Sequence, residues 1–549
     1  MERTLVADRI AQLLQREGAE FVVGFPENRL LDSASALGMR PIITRTERVA
    51  VNIADGFARA TNGERITACV TQYGPGAEAA FGAVAQAHGD RSPILLIPGE
   101  HDCDKQDAAP NLRTEQAFRP VTRFAATVND AGRAPEVFRR ALHALRCVKD
   151  GPVLVAVAND VLNADAGAAG WDVGPAPPRR SQAAPADVAE TVRILTEASD
   201  PVILAGQGVL YAGASEELVQ LAERTGIPVA TTLNGKSAFP EGHPLALGTA
   251  ARTRPATVDR FLERADVILG IGTSFTRSLY ITSLPAAATL GQIVNDPRDI
   301  GCGYPVGFGC VGDARLVLRQ MLDALERRDA AAAPGPAAGE IAAVRQEFAE
   351  RWLPRLTSDA GPLSPYRVVW ELMATVDRSR TVVTHDAGHP RDQIVPFYES
   401  LVPRGYLGWG KSTQLGTGLG LAMGARLARP DWLSVNIMGD AAFGMVGMDI
   451  ETAVRCRIPI LTIVLNNGLM GGYGEYMPQA VERYAAHRLG GDYTALATAL
   501  GAHAERVGVA AELRGGIERC VAAVAAGRTA LLEVMTHEEP ELALGQTGV

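Results

Sequence analysis

The chain has 549 residues, 47% of them hydrophobic and 21% charged, too many for one core, so two to four globular domains are expected. Its 53 basic and 62 acidic side chains leave a net charge of -9, which argues against a broad surface for nucleic acid or an anionic membrane. The seven cysteines are scattered without a CxxC pair. Neither a zinc site nor a disulfide framework is expected, and a reducing cytoplasm is the expected location. The N-terminus shows no apolar signal-like region, and no apolar run approaches the roughly 20 residues of a membrane span.

In chain order, residues 21–25, 66–71 and 94–97 read as buried strands. A helix is predicted over 46–61, with Val49, Ala50, Ile53, Ala54 and Phe57 as its apolar stripe. An Ala/Pro/Gly-rich connector follows at 165–187. Strands are next predicted at 202–205, 229–231, 267–271 and 292–295, then a second connector of like composition at 328–340. The last part offers strands at 381–384, 433–438, 459–465 and 530–535. Continuous Val/Ile/Leu strands alternating with helices predict parallel sheets covered on both faces. The fold expected is α/β, with three doubly wound domains at 1–165, 188–328 and 341–549.

The segment 435–467, VNIMGDAAFGMVGMDIETAVRCRIPILTIVLNN, reads as strand, turn, helix (about 445–456) and strand. In a βαβ unit the C-terminal ends of both strands reach one edge of the sheet, where ligands of doubly wound folds bind. That brings Asp440 and Asn467 together. A carboxylate and an amide oxygen are hard ligands suited to Mg²⁺. The small residues Gly439, Ala441 and Ala442 leave room for a diphosphate near a helix start. Taken alone, each residue is an ordinary capping group; jointly, at this spacing, they point to a metal–phosphate site. Glu47, at the first turn of the predicted 46–61 helix, reads by itself as a dipole cap.

The Gly439-Asp440 … Asn466-Asn467 pattern resembles the signature of thiamine-diphosphate enzymes. Residues 42–63, IITRTERVAVNIADGFARATNG, resemble that family's glutamate-bearing element. The chain is similar to the acetolactate-synthase-like group over essentially its whole length. The resemblance implies a pyrimidine-binding, a central and a diphosphate-binding domain, with thiamine diphosphate and Mg²⁺ as cofactors. By it, Asp440, Asn467 and the carbonyl of Leu469 hold Mg²⁺. Ala441-Ala442 depart from the family's usual Gly and Ser-like pair, which predicts modestly weaker diphosphate binding. Glu47 falls on the essential glutamate, which shares a proton with the aminopyrimidine N1′ and so promotes loss of the thiazolium C2 proton.

Residues 410–425 resemble the element that bends the cofactor, with Leu415 as its apolar support and the Thr413 carbonyl facing the 4′-amino group. Gly388 and His389, in HDAGHPRDQ, match diphosphate contacts. Gly74, in QYGPG, and Gly24 and Pro26 match turns beside the cofactor, but Glu27 replaces the glycine that ends the early turn. Gln72, Tyr73, His101 and Phe118 are the candidates for the substrate pocket, and His88 is placed in a nearby loop.

In the middle domain, Gly206-Gln207-Gly208 and Gly270-Ile271-Gly272 do not complete a dinucleotide fingerprint. Ser274-Phe275-Thr276-Arg277 replaces the element typical of FAD-binding relatives. Bound FAD is therefore not expected, and a structural middle domain is the plainer reading. The activity implied is C–C bond cleavage and carboligation on a small 2-oxo acid or related ketone. Alternatives are a decarboxylase of the benzoylformate type, a C–C hydrolase, or a non-catalytic nucleotide-sensing or scaffold protein on this fold. Glu47 and Asp440 lie in different domains, and the resemblance places their meeting at a subunit interface, in a homodimer or dimer of dimers.

Overall fold

Among the described residues, three six-stranded sheets, every strand pair parallel, organise the chain. The structure is a computed structural model and describes residues 4–147, 151–167, 170–172, 174, 179–278, 280–327 and 337–544. Much of the second expected connector (328–336) and parts of the first lie outside the described residues.

The first sheet comprises β1 (Phe21–Gly24), β2 (Arg40–Ile43), β3 (Ala68–Thr71), β4 (Leu95–Glu100), β5 (Phe124–Val128) and β6 (Val153–Ala158). Its order is β2-β1-β3-β4-β6-β5. The second holds β7 (Pro201–Ala205), β8 (Val229–Thr232), β9 (Ala246–Ala250), β10 (Val267–Ile271), β11 (Thr289–Val294) and β12 (Phe308–Val311), ordered β12-β11-β10-β7-β8-β9. The third holds β13 (Thr381–His385), β14 (Tyr406–Leu407), β15 (Leu433–Gly439), β16 (Leu461–Asn466), β17 (His503–Val507) and β18 (Ala530–Met535), ordered β14-β13-β15-β16-β18-β17. The inner strands β3, β4, β6, β10 and β16 are buried along their whole length, because helices cover both sheet faces.

Two helices join the first and third sheets. The Glu47–Ala60 helix follows β2, and the Thr417–Ala428 helix follows β14. They cross through glycines: a Cβ on Gly56 would lie 2.3 Å from the Leu421 carbonyl oxygen, and one on Gly424 would lie 2.2 Å from that of Ile53. Only a bare backbone permits this approach.

Beside the crossing, Arg59 is fully buried and bonds Asp55 (2.7 and 3.0 Å), Asp90 (3.0 Å) and the carbonyl of Gly408. Asp90 also accepts from the Gln86 amide (2.6 Å) and the Lys411 backbone N–H (3.2 Å), while its own carbonyl accepts from Gln207 (2.6 Å). One residue thus touches all three domains.

The helix expected at 445–456 begins earlier, at Asp440, and comes in pieces. Asp440–Val446 is α-helical, Gly447–Asp449 is a 3₁₀ turn, and Ile450–Arg455 resumes the α-helix. The break occurs where Asp449 turns its carboxylate to Thr452 and to the first domain. Among the described residues no helix is long and apolar enough to cross a membrane.

Candidate active site

The C-terminal ends of β13, β15 and β16 open on a cavity of about 100 Å³. β15 delivers Asp440 and β16 delivers Asn467, as the βαβ argument requires. The Asp440 carboxylate accepts from the backbone N–H of Ala441 and of Gly468, both at 2.9 Å. Burial pushes its pKa up, and these N–H donors partly oppose the shift. Asn467 Oδ1 accepts from the Leu469 N–H at 3.0 Å, fixing the amide beside the cavity.

Asp440, Asn467 and Leu469 all line this cavity, together with Gly439, Ala441 and Ala442. Gly388, His389 and Leu415 close other sides. Gly388 stands at φ 83°, and nothing lies within 4 Å of where its Cβ would be. A carboxylate, an amide oxygen and a backbone carbonyl form a hard-oxygen donor set around a glycine-rimmed space, which fits a divalent cation with a diphosphate.

The loop bearing Thr413 and Leu415 is held by buried charge. Asp386 accepts from the backbone N–H of Gly416 (2.8 Å), Gly418 (3.0 Å) and Ala387 (2.8 Å). Complete burial nonetheless raises its pKa to about 6. Arg48, the neighbour of Glu47, donates to the Leu415 carbonyl. Thr413 takes a left-handed φ of 59°. Next to Asp386, His385 stacks on Trp409 (5.1 Å, 8° between planes) and is held neutral, its pKa pushed down to about 3 by burial and by Arg391. Sequence patterns did not single out Asp386 or Arg48; the signal available was an acidic residue directly after an apolar strand.

Glu47 opens its helix, with Thr46 as the N-cap. The carboxyl faces the turn at Gln72–Gly76: a Cβ on Gly76 would sit 3.3 Å from Glu47 Oε1. Half-burial raises the Glu47 pKa. The rings of Tyr73 and His101 lie 4.8 Å apart at 58°, and a Cβ on Gly74, at φ 53°, would meet the edge of the His101 ring. Glu100, buried at the end of β4, fixes this corner by accepting from the N–H of His101 and of Thr114, both at 3.0 Å.

The early turn is bent as a glycine would bend it, because Glu27 adopts φ 78°. Pro26 beside it is exposed, while Gly24 is wedged against the Val70 carbonyl in the sheet. Phe118 is only 1% exposed and packs edge-on against Phe81, so it backs the pocket region from the core. His88 is not in a loop near the site; it lies in the last turn of the Pro75–Gly89 helix, beside Gly151.

The cavity around Asp440 is lined only by residues from Pro365 onward, so Glu47 is not among them. A second, larger cavity of about 220 Å³ lies beyond the paired ends of β7 and β10, lined by Gly206, Gly208, Gly272, Arg91 and Asp299 among others. The order of this sheet makes that point a topological switch. The middle domain thus has room for a ligand despite its incomplete fingerprints.

Known sequences agree with this geometry. The thiamine pyrophosphate enzyme N-terminal TPP binding domain matches residues 4–121, the central domain 188–321 and the C-terminal TPP binding domain 386–534. A probable acetolactate synthase large subunit from Methanocaldococcus jannaschii is 29% identical over 91% of this chain and 87% of its own length. The acetolactate synthase isozyme 3 large subunit of Escherichia coli is 28% identical over 86% and 83%. A putative thiamine pyrophosphate-containing protein of Bacillus subtilis is 26% identical over 99% and 93%. With all three domains matched in order, the chain belongs to the thiamine pyrophosphate enzyme family.

Proposed function

We propose that the protein is a Mg²⁺-dependent enzyme that cleaves and forms C–C bonds next to the carbonyl of a small 2-oxo acid or related ketone, as a carboligase. The observation that carries this reading is the convergence of Asp440, Asn467 and Leu469 on one cavity. The acetolactate synthases among its relatives support the substrate class. When bound, thiamine diphosphate supplies an acidic thiazolium carbon that becomes the nucleophile toward a carbonyl.

The protein's own residues do the rest. Asp440, Asn467 and Leu469 would hold the metal, Gly388 and His389 would contact the diphosphate, and Leu415 would give the cofactor its apolar support. Glu47, whose pKa burial raises, would share a proton at the pyrimidine N1′. Tyr73, Gln72 and His101 face the substrate. The central cavity shares no lining residue with the one around Asp440, and no step of this reading is assigned to it.

Glu47 is not among the residues lining the Asp440 cavity, although its neighbour Arg48 holds the carbonyl of Leu415 there; by the family resemblance, the complete site is read as forming between two copies. The half-exposed Met445 (50%) and Met448 (49%), just beyond Asp440, support an apolar contact face there. Calorimetric titration of the purified protein with thiamine diphosphate, with and without Mg²⁺, tests the cofactor reading; saturable binding only with Mg²⁺ is expected. Mixing inactive Glu47→Gln and Asp440→Ala proteins tests the shared site. Subunit exchange should restore activity through the one intact site in each mixed dimer, and no recovery overturns the reading.

A further inference from the structure

The residues that lead into Glu47 are held by their own sheet, where Ile43 pairs with Gly24 of β1, and also by the segment that runs out of the metal site. Asp449 Oδ1 accepts from the Arg45 backbone N–H at 2.8 Å, and Asp449 Oδ2 accepts from the Thr46 hydroxyl at 3.3 Å. Arg455 donates to the Ile43 carbonyl at 2.6 Å. Glu451 joins them, accepting from Arg45 Nε and from Arg455 Nε, each at 2.8 Å.

Ile43, Arg45 and Thr46 all lie within the four residues before Glu47, and none of these bonds goes to Glu47 itself. On its other side, Arg48 holds the Leu415 carbonyl. Thr46 is the pivot: its hydroxyl donates to Asp449 and accepts from the Val49 N–H, capping the Glu47 helix. The Arg45–Glu451 pair is half exposed and contributes little. Asp449 is completely buried, so its bonds define geometry that water cannot replace.

We propose that Asp449 is a positioning residue for Glu47, setting the aim of that acid through Arg45 and Thr46. The inference rests on the reading of Glu47 as the proton-sharing group. It adds that the aim is dictated from the third domain, by the broken helix that begins at Asp440. General-acid geometry is sensitive to such support, since a misplacement of about 1 Å can slow a reaction on the order of 100-fold.

The test is the rate of hydrogen–deuterium exchange at C2 of bound thiamine diphosphate, followed by NMR on acid-quenched holoenzyme, with cofactor affinity measured in parallel. Asp449→Ala should slow exchange about 10- to 100-fold while affinity stays within about 2-fold. Thr46→Ala should slow it less, and Thr46→Ser should restore it; this pair serves if Asp449→Ala fails to fold. In a Glu47→Gln background, Asp449→Ala should add nothing.

Two results overturn the positioning role: unchanged exchange in Asp449→Ala (or in Thr46→Ala, if that pair is used) when Glu47→Gln slows it, or an equal loss with and without Glu47. If Glu47→Gln itself leaves exchange untouched, the reading of Glu47 falls first and the positioning role with it.

Discussion

The first and third sheets have the same strand order, second-first-third-fourth-sixth-fifth, yet they carry different halves of the chemistry. In the third domain the central strands β15 and β16 end in Asp440 and Asn467. In the first domain the equivalent strands β3 and β4 end in the Gln72–Gly76 turn and in Glu100-His101. After the second strand the two converge again: β2 leads to Glu47 and β14 leads to Leu415. The helices that follow these two loops are equivalent in position, and they are the pair that crosses through Gly56 and Gly424. On the proposed reading, one strand order carries the metal–diphosphate residues in the third domain and the proton-sharing Glu47 in the first.

The largest expected effect breaks the cradle. Asp440→Ala should abolish Mg²⁺-dependent retention of thiamine diphosphate, read as loss of the calorimetric signal, while the fold persists by circular dichroism. Breaking the wall should leave binding intact: Glu47→Gln should lower turnover about 100-fold or more, and unchanged turnover would remove Glu47 from the mechanism.

A third change attacks the crossing that relates the two domains. Gly424→Ala places a methyl against the Ile53 carbonyl and should cost about 1–3 kcal/mol of stability in urea unfolding. Alanine tolerated there at no cost would show that the helices can separate freely.

The smallest effect sharpens the contrast between neighbouring groups in the third domain. His385, with a folded pKa of about 3, contributes stability that is present above its ordinary value of 6.5 and is lost as pH falls toward 3. Asp386, with a folded pKa of about 6, contributes stability that is present below its ordinary 3.8 and is lost as pH rises through 6. Between about pH 4 and 6 the two slopes oppose each other. His385→Gln should therefore make stability fall more steeply with rising pH in that window, by up to about 1.4 kcal/mol per pH unit. Urea midpoints measured across the window decide it.

The fold class, and the convergence of Asp440 and Asn467 on one cavity, were legible because each is written in short, contiguous patterns. Val267–Ile271 and Ala530–Met535 form strands at the predicted residues, since unbroken apolar runs admit few other uses. Edge strands carried weaker marks. β2 begins with the exposed pair Arg40-Pro41, and β14 is two residues long. β6 is a plain apolar run, VLVAVA, and was not among the predicted strands. The supports of the site were least legible. Asp386, Asp449 and Arg48 act through partners remote in the chain, and no local spacing announces such bonds. Phe118 illustrates the converse: its element was found, but which of the paired rings faces outward depends on packing.

The contacts at Asp90 bear on how this chain can be rebuilt. Three sheets joined by connectors invite domain exchange, with a middle unit swapped or an outer one expressed alone. Yet the Asp90 carboxylate is fully buried and satisfied by donors from the first and third domains, and its carbonyl by one from the second. Removing the third domain strips the Lys411 donor and the Gly408 acceptor from the Asp90–Arg59 pair and opens the pair to water. Replacing only one partner of that pair leaves a buried charge unmatched, at about 3–5 kcal/mol. Chimeras of this enzyme should accordingly be designed with cut points that carry residues 55–59, 86–90, 207 and 408–414 as one inherited set.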